Sequence, residues 1–372
     1  MRRLSSGTTN RTLKRLGALS LTVVPVLAAL PVATAQAAST ITLPPISIGA
    51  GMRTSFTSTN SNAPDAADSN DFALDSVRLY MTGNVMENVK LTFNTEYTGD
   101  HDNKVQVMDA FGRFEYSPTM NVWVGRFLPP SDRANLYGPY YANNWAVYSD
   151  GVQDGYPMVA VGRDDGIAYW GDFDKLKVSA GAFDSSSTLG KTDVIGAARV
   201  QYDFWEAEPG YFLNGTYYGE KDILAIGAAG QTTSNHTAYS GDVLMEKKLG
   251  GGSMVGLESE YTFYNGLGGY DGRYGKSKGY YVLADYLFGQ KIGIGQFQIL
   301  GKYANAKFED GSDATTTPPT PLSDYKQDTG EVDLSYIIKA FNARASLFYK
   351  RTNYDQGIPD VSQVGVGLQL QM

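Results

Sequence analysis

Val364-Gly365-Val366-Gly367-Leu368-Gln369-Leu370-Gln371-Met372 sets an apolar side chain at every even position and a glycine or glutamine at every odd one. Successive side chains of a strand point to opposite faces, so this stretch forms a strand with one apolar face and one small or polar face. The alternation runs to the last residue, with no tail after it. Such a closing strand is expected of a barrel whose outer face meets lipid. The last residue of that strand is usually aromatic, and here it is Met372.

The same period recurs upstream. Val89, Leu91, Phe93 and Tyr97 oppose Lys90, Thr92, Asn94 and Glu96; Val194, Ala198, Val200, Tyr202 and Phe204 oppose Arg199, Gln201 and Asp203. Val255, Leu257, Tyr261 and Phe263 oppose Glu258 and Glu260, and Val332, Leu334, Tyr336 and Ile338 oppose Glu331, Asp333 and Ser335. Ala343, Ala345, Leu347 and Tyr349 likewise oppose Asn342, Arg344 and Ser346. A soluble sandwich also alternates. Length separates the two, because these segments run about 10 to 13 residues, the span of a tilted membrane strand, where soluble strands average about 5 to 6. Tight connections at 83–88, 116–121, 171–175, 248–253 and 288–292 intersperse with long polar ones at 60–70, 185–191, 265–276 and 310–326. Short turns on one side and long loops on the other belong to a transmembrane barrel.

Composition agrees. The 372 residues include 42 glycines and 26 tyrosines, which suit strands and turns better than helices, and no cysteine. There is therefore no disulfide, thiolate zinc site or covalent haem attachment. Arg2, Arg3, Arg11, Lys14 and Arg15, the apolar run 16–30 and Ala35-Gln36-Ala37 read as a secretory signal peptide over 1–37, with the general secretory route favoured over twin-arginine export. Its removal leaves 26 basic against 39 acidic residues, a net charge near −13 instead of −8. That balance argues against nucleic acid and anionic lipid as partners. No later apolar stretch approaches the roughly 18 residues of a membrane helix.

The expected fold is thus all-β, a transmembrane antiparallel β-barrel of about 16 strands that occupies 38–372 as one domain. Seventeen candidate strands can be drawn: 46–57, 71–84, 88–99, 104–117, 120–128, 163–172, 175–184, 193–204, 209–219, 222–233, 237–248, 253–264, 277–288, 292–306, 326–338, 341–352 and 361–372. A single-chain bacterial barrel has an even number, so sixteen are expected. The weakest are 163–172 and the pair flanking Glu220. One connection, 129–161, lacks alternation and holds Tyr137, Tyr140, Tyr141, Trp145 and Tyr148 among four prolines. A long loop this aromatic is expected to fold into the barrel as a constriction.

Phe72-Ala73-Leu74 leading to Arg78-Leu79-Tyr80, then Val89 to Tyr97, Asp109-Ala110-Phe111 and Gly125-Arg126-Phe127-Leu128-Pro129 resemble the N-terminal half of the phosphate-selective porin O and P family. The resemblance covers roughly 70–175. It implies a sixteen-stranded homotrimeric porin with its third loop turned inward.

Selectivity in such a pore follows the charges on its wall. Alternation puts Arg53, Arg78, Lys90, Arg113, Arg126, Lys175, Lys177, Arg199, Lys302 and Arg344 inward. The loop adds Arg133 against Asp132, Asp150 and Asp154, with Arg163 at its end, and no lysine lies in 129–174. A phosphate-binding loop calls for a lysine cluster, so a mixed-charge pore is the favoured reading and phosphate the minor one. Arg78, Arg113, Arg126 and Arg199 could equally pair with Glu96, Asp109, Glu115 and Asp203 to stiffen the wall.

Enzymatic readings find little support. His101 and His236 sit in polar loop contexts with no triad or metal spacing, and nothing in the sequence asks for a cofactor. The expected function is an outer-membrane porin that passes small hydrophilic solutes and ions, its partners being outer-membrane lipid, the solutes themselves and further copies of the chain. The alternatives are a barrel sheath of an electron conduit and a secreted soluble β-rich binding protein. A barrel of this kind partitions into detergent and migrates faster on gels before boiling than after; equal mobility with full aqueous solubility would select the soluble protein instead.

Overall fold

Sixteen long strands carry the alternating segments: β1 (Ile46–Ser61), β2 (Ser69–Met86), β3 (Val89–Tyr97), β4 (Val105–Ser117), β5 (Met120–Phe127), β6 (Asp164–Phe173), β7 (Leu176–Asp184), β8 (Val194–Asp203), β9 (Ile223–Thr233), β10 (His236–Lys248), β11 (Met254–Asn265), β12 (Tyr274–Ile292), β13 (Gly295–Asp313), β15 (Tyr325–Lys339), β16 (Ala343–Tyr354) and β17 (Val361–Gln371). A three-residue strand, β14 (Thr320–Leu322), pairs with the far end of β13 and takes no part in the ring. The computed structural model describes residues 45–63, 68–97, 104–152, 162–184, 193–234, 236–267 and 273–372. The signal peptide expected over 1–37 lies outside them, as do Asp154, His101 and the end of the loop at 153–161.

Each long strand pairs antiparallel with its sequence neighbours, and β1 closes on β17 from Gly51↔Gln371 to Ser61↔Val361. Closure removes the free edges that an open sheet would expose to lipid. With strands about 4.8 Å apart and tilted about 40°, sixteen of them enclose a ring roughly 32 Å across, too wide for wall side chains alone to fill.

The two faces behave as alternation requires of a barrel in lipid. In β17 the exposed residues are Val364, Val366, Leu368 and Leu370, whereas Gln369 is fully buried. The same inversion holds in β15, where Val332 and Leu334 face out and Glu331, Asp333 and Ser335 are buried. Outward aromatics collect at both ends: Tyr202 with Phe204, Tyr286 with Phe288 and Phe297 with Tyr336 near the short turns, and Phe56 with Phe72 and Tyr239 with Phe263 near the long loops. These are the girdles of a membrane barrel.

Among the seventeen candidate strands, 163–172 forms β6, one register position from its expected start. The segment 209–219 is not a strand; residues 207–221 leave the wall and run through the interior. Its apparent alternation, Tyr211, Leu213 and Gly215, reflects side chains packed inside the barrel. The connection also breaks the rule of short turns at its end of the barrel, where the others are as brief as 87–88, 118–119 and 174–175.

Leu347 and Val366 face each other across β16 and β17 on the apolar band, both about half exposed. Leu347→Arg is expected to lower the stability of the folded barrel by about 2–4 kcal/mol in lipid vesicles, the cost of a cation near the bilayer midplane. Urea titration of the vesicle-folded protein measures it, and an unchanged midpoint would place this face away from lipid.

Candidate pore constriction

The loop that follows β5 folds inward from its first residues. Its helix α1 (Arg133–Tyr141) is capped by Asp132, whose side chain accepts from the Asn135 backbone N–H at 2.8 Å. Gly138 at φ +63° and Pro139 then break the helix; an L side chain is strained at that φ. The chain thereby turns and continues across the lumen through Trp145 to Val152.

A backbone drawn into a barrel leaves bulk water, so each of its polar groups needs a partner from the wall or from the loop itself. The wall supplies them around its circumference. Asp242 of β10 accepts from the Arg133 backbone N–H (3.3 Å), and Glu258 of β11 accepts from the Tyr137 hydroxyl (2.9 Å). Asp285 of β12 accepts from Asn143 (2.9 Å), and Glu331 and Asp333 of β15 accept from the backbone N–H groups of Ala146 (2.9 Å) and Trp145 (2.7 Å). Donors serve the loop carbonyls: Arg344 of β16 reaches Ala142 O (2.8 Å) and Asn143 O (3.0 Å), and Arg53 of β1 reaches Pro139 O (3.0 Å) and Trp145 O (2.9 Å). Gln369 of β17 donates to Tyr140 O (2.8 Å).

Two inward glycines make room for the loop aromatics. A Cβ on Gly51 would stand 2.7 Å from the Tyr140 ring, and one on Gly367 would overlap the Trp145 indole. Trp145 lies under the Arg53 guanidinium, 4.2 Å from the ring centre, with Arg344 at 5.9 Å, a cation–π arrangement that holds the ring flat against the wall. Tyr140 lies beneath Arg78 at 5.0 Å, and Tyr148 donates to Ala134 O at 3.0 Å. Tyr141 alone among the five expected aromatics is exposed, its ring edge against Phe341.

The expected wall cations therefore divide. Arg53, Arg133, Arg199 and Arg344 are buried and bound to the loop or to its supports, with Arg199 bridging Asp242 (2.5 Å), an acid outside the set named from the sequence. Lys302 pairs with Asp150, also buried, at 2.5 Å. Arg78 pairs with Glu96 (2.8 Å) and Arg163 with Asp109 (3.2 Å). Lys90 and Arg113 share the single carboxylate of Glu115 at 2.8 and 2.7 Å, and their side chains keep 33% and 24% of their exposure.

Arg126 requires correction. It shares the outward face with Val122 and Val124 and pairs with Asp165 beside it, because Trp123 and Phe127 take the inward positions of β5. Those two rings join Phe111, Phe183, Tyr211 and Leu213 in an apolar cluster inside the barrel. Inward apolar residues reverse the parity that alternation assigns.

The interior segment 207–221 meets the loop at the centre. Its Leu213 and Gly215 N–H groups bond Leu136 O (3.3 Å) and Tyr141 O (2.9 Å), and the Tyr211 hydroxyl bonds Leu128 O (2.7 Å). Glu208 takes both terminal nitrogens of Arg133, at 3.0 and 2.5 Å, with Gln201 and Tyr217 completing its shell. Burial disfavours the Glu208 carboxylate, yet the Arg133 charge and these donors hold its pKa below the usual carboxylate range. Sequence reasoning missed Glu208 and the wall acceptors Asp285, Glu331 and Asp333 as loop supports. The signal available was the pair Pro209-Gly210 and Asn214-Gly215 inside an apparent strand.

No protein-family model and no curated protein sequence matches the chain. Among solved structures it is similar to Pseudomonas putida OprB (TM-score 0.62, 9% identity, 88% of this chain and 94% of the other). It is also similar to Salmonella typhi OmpF in complex with daunomycin (0.57, 12%, 88% and 98%) and to a loop L8 deletion mutant of OmpT, an outer membrane protein of Vibrio cholerae (0.54, 11%, 89% and 100%). The likeness extends over nearly the whole of each chain and is one of fold.

Gly367→Val fills the slot of the Trp145 indole. The expected result is a red shift in tryptophan emission, a loss of about 1–3 kcal/mol in stability from overpacking and no change in the far-ultraviolet spectrum of the barrel. Unchanged emission would place Trp145 elsewhere.

Proposed function

We propose that the protein is an outer-membrane porin through which small hydrophilic solutes and ions diffuse passively, with a mild preference for anions. The observation that carries this reading is the cluster on β3 and β4, where Lys90 and Arg113, both partly open, converge on one carboxylate. Among the other inward cations, Arg78, Arg199 and Lys302 are each matched by a carboxylate, Arg53 and Arg344 are committed to loop carbonyls, Lys177 donates to Glu208 O, and Lys350 of β16 lies among the charges of Glu331, Asp150 and Lys302. A local excess of one cation, in a lumen narrowed by the loop, favours entry of anions without providing a tight site.

Specific phosphate binding has less support. The loop's single described cation, Arg133, is bidentate on Glu208 and buried, so it is not offered to a permeant ion. The fold likeness to OprB, OmpF and OmpT supports an outer-membrane location, and one of the OmpT structures is described as a trimer form, which supports assembly as a homotrimer. An electron-conduit sheath needs an empty bore for its partner, whereas this barrel is crossed by two of its own segments; that favours the porin over the sheath.

The reversal potential of the purified protein in a planar bilayer under a potassium chloride gradient tests the proposal. Weak anion selectivity is expected, with conductance unaffected by millimolar phosphate. Lys90→Gln combined with Arg113→Gln leaves Glu115 uncompensated and is expected to turn the pore cation-selective. Cation selectivity in the wild type, or a reversal potential indifferent to the double substitution, would remove the assignment.

A further inference from the structure

We infer that residues 207–221 form a second constriction element, a fixed strap that crosses the barrel from the short-turn end and confines solutes to one lane along β2 to β4. The inference rests on the porin reading and adds the element that sets its bore.

The strap is not needed to connect its strands. Beyond β8 and β9 the hairpin continues, with Phe204 N–H on Leu224 O at 2.7 Å and Glu206 N–H on Asp222 O at 3.0 Å. Two residues already this close can be joined by a two-residue turn. Residues 207–221 are therefore an excursion, and their backbone is drawn into the lumen at the entropic cost of ordering a long segment.

Its course shows what the excursion reaches. Arg344 on β16, six strands round the ring from β9 through β10, β11, β12, β13 and β15, lies 3.5 Å from the Tyr218 hydroxyl. The Tyr218 ring also packs on Phe341 at 5.0 Å. The strap thus spans most of the bore. Midway, Leu213 and Gly215 bond the backbone of the loop that enters from the opposite end, so the two segments form one partition across the lumen.

The partition is locked rather than hinged. Glu208 is buried in a bidentate pair with Arg133, and its backbone carbonyl accepts from Lys177 at 2.7 Å. On the other side of the partition, Lys90 and Arg113 remain partly open. A lane bounded by those cations, by Tyr141 and by the strap-supported loop is the route left to a solute.

The test replaces residues 207–221 of the mature chain with Asn-Gly and compares single-channel conductance with wild type in planar bilayers. Heat-modifiable gel mobility serves as the check of folding. A rise of at least about threefold is expected, with stronger anion selectivity because Arg133 and Lys177 lose Glu208. A folded variant of wild-type conductance and reversal potential overturns the proposal while leaving the porin intact. Should the shortened chain fail to fold, Tyr211→Ala with Leu213→Ala decides, since it keeps the strap's length and removes its apolar anchors. Higher conductance with added open-channel noise supports the strap, and wild-type traces overturn it. Folded wild type and variants that all stay silent overturn the porin reading and the strap with it, whereas a silent wild type beside a conducting strapless variant overturns the lane, since the strap then closes the bore.

Discussion

A segment drawn into a barrel must find partners for its peptide groups, and most of the charge inside this protein serves that need. The wall presents carboxylates to the loop's N–H groups and guanidinium and amide groups to its carbonyls, from β1 and β10 to β17. Donor and acceptor match by position: Asp333 and Glu331 meet successive N–H groups at Trp145 and Ala146, while Arg344 spans the carbonyls of Ala142 and Asn143. A buried amide left unpaired costs about 1–3 kcal/mol, so loss of any one anchor loosens the loop locally. Buried ion pairs are weak sources of net stability, because desolvation offsets their attraction. Their value here is geometric, since they fix one path for a chain that has many.

The same need explains the glycines of the inward face. Gly51 and Gly367 stand where Tyr140 and Trp145 lie against the wall, and Gly227 and Gly256 stand where Arg199 and Asp285 lie along it. A side chain at any of these positions would hold the loop or its anchors off the wall. Inward glycine in this barrel is thus a contact surface: Gly367 makes room for Trp145 of the loop and Gly365 for Phe348 of the wall, while Val364 and Val366 face lipid.

How far the sequence could be read follows from which interactions are local. Strand number and the lipid face were legible, because period two and strand length reflect one residue's environment at a time. The inward loop was legible from its aromatics and its lack of alternation. Arg126 was misplaced because parity was judged by charge, and Trp123 and Phe127 showed that the lumen near β5 is apolar. The strap was hidden for a related reason. Tyr211, Leu213 and Gly215 pack against an interior surface, and a segment inside a barrel shows the same alternation as one in its wall. Nor could pairing be foreseen in full: Arg199 takes Asp242 two strands away, across β9, a pairing that spacing along the chain does not specify.

On the proposed porin reading, selectivity is what remains after anchoring. Charges that hold the two inward segments are buried, so the net charge of the chain carries little information about the pore. On that reading a solute would meet the wall left uncovered on β2 to β4, where two cations share Glu115. Because that excess is a single charge, its field is weak and screened within about 8 Å at physiological salt. Such a lane would bias the sign of what enters without capturing it, and would let small solutes leave as readily as they arrive. A specific binding pore needs the opposite arrangement, with cations withheld from structural duty, whereas Arg53, Arg133, Arg199 and Arg344 here are buried in holding the interior in place.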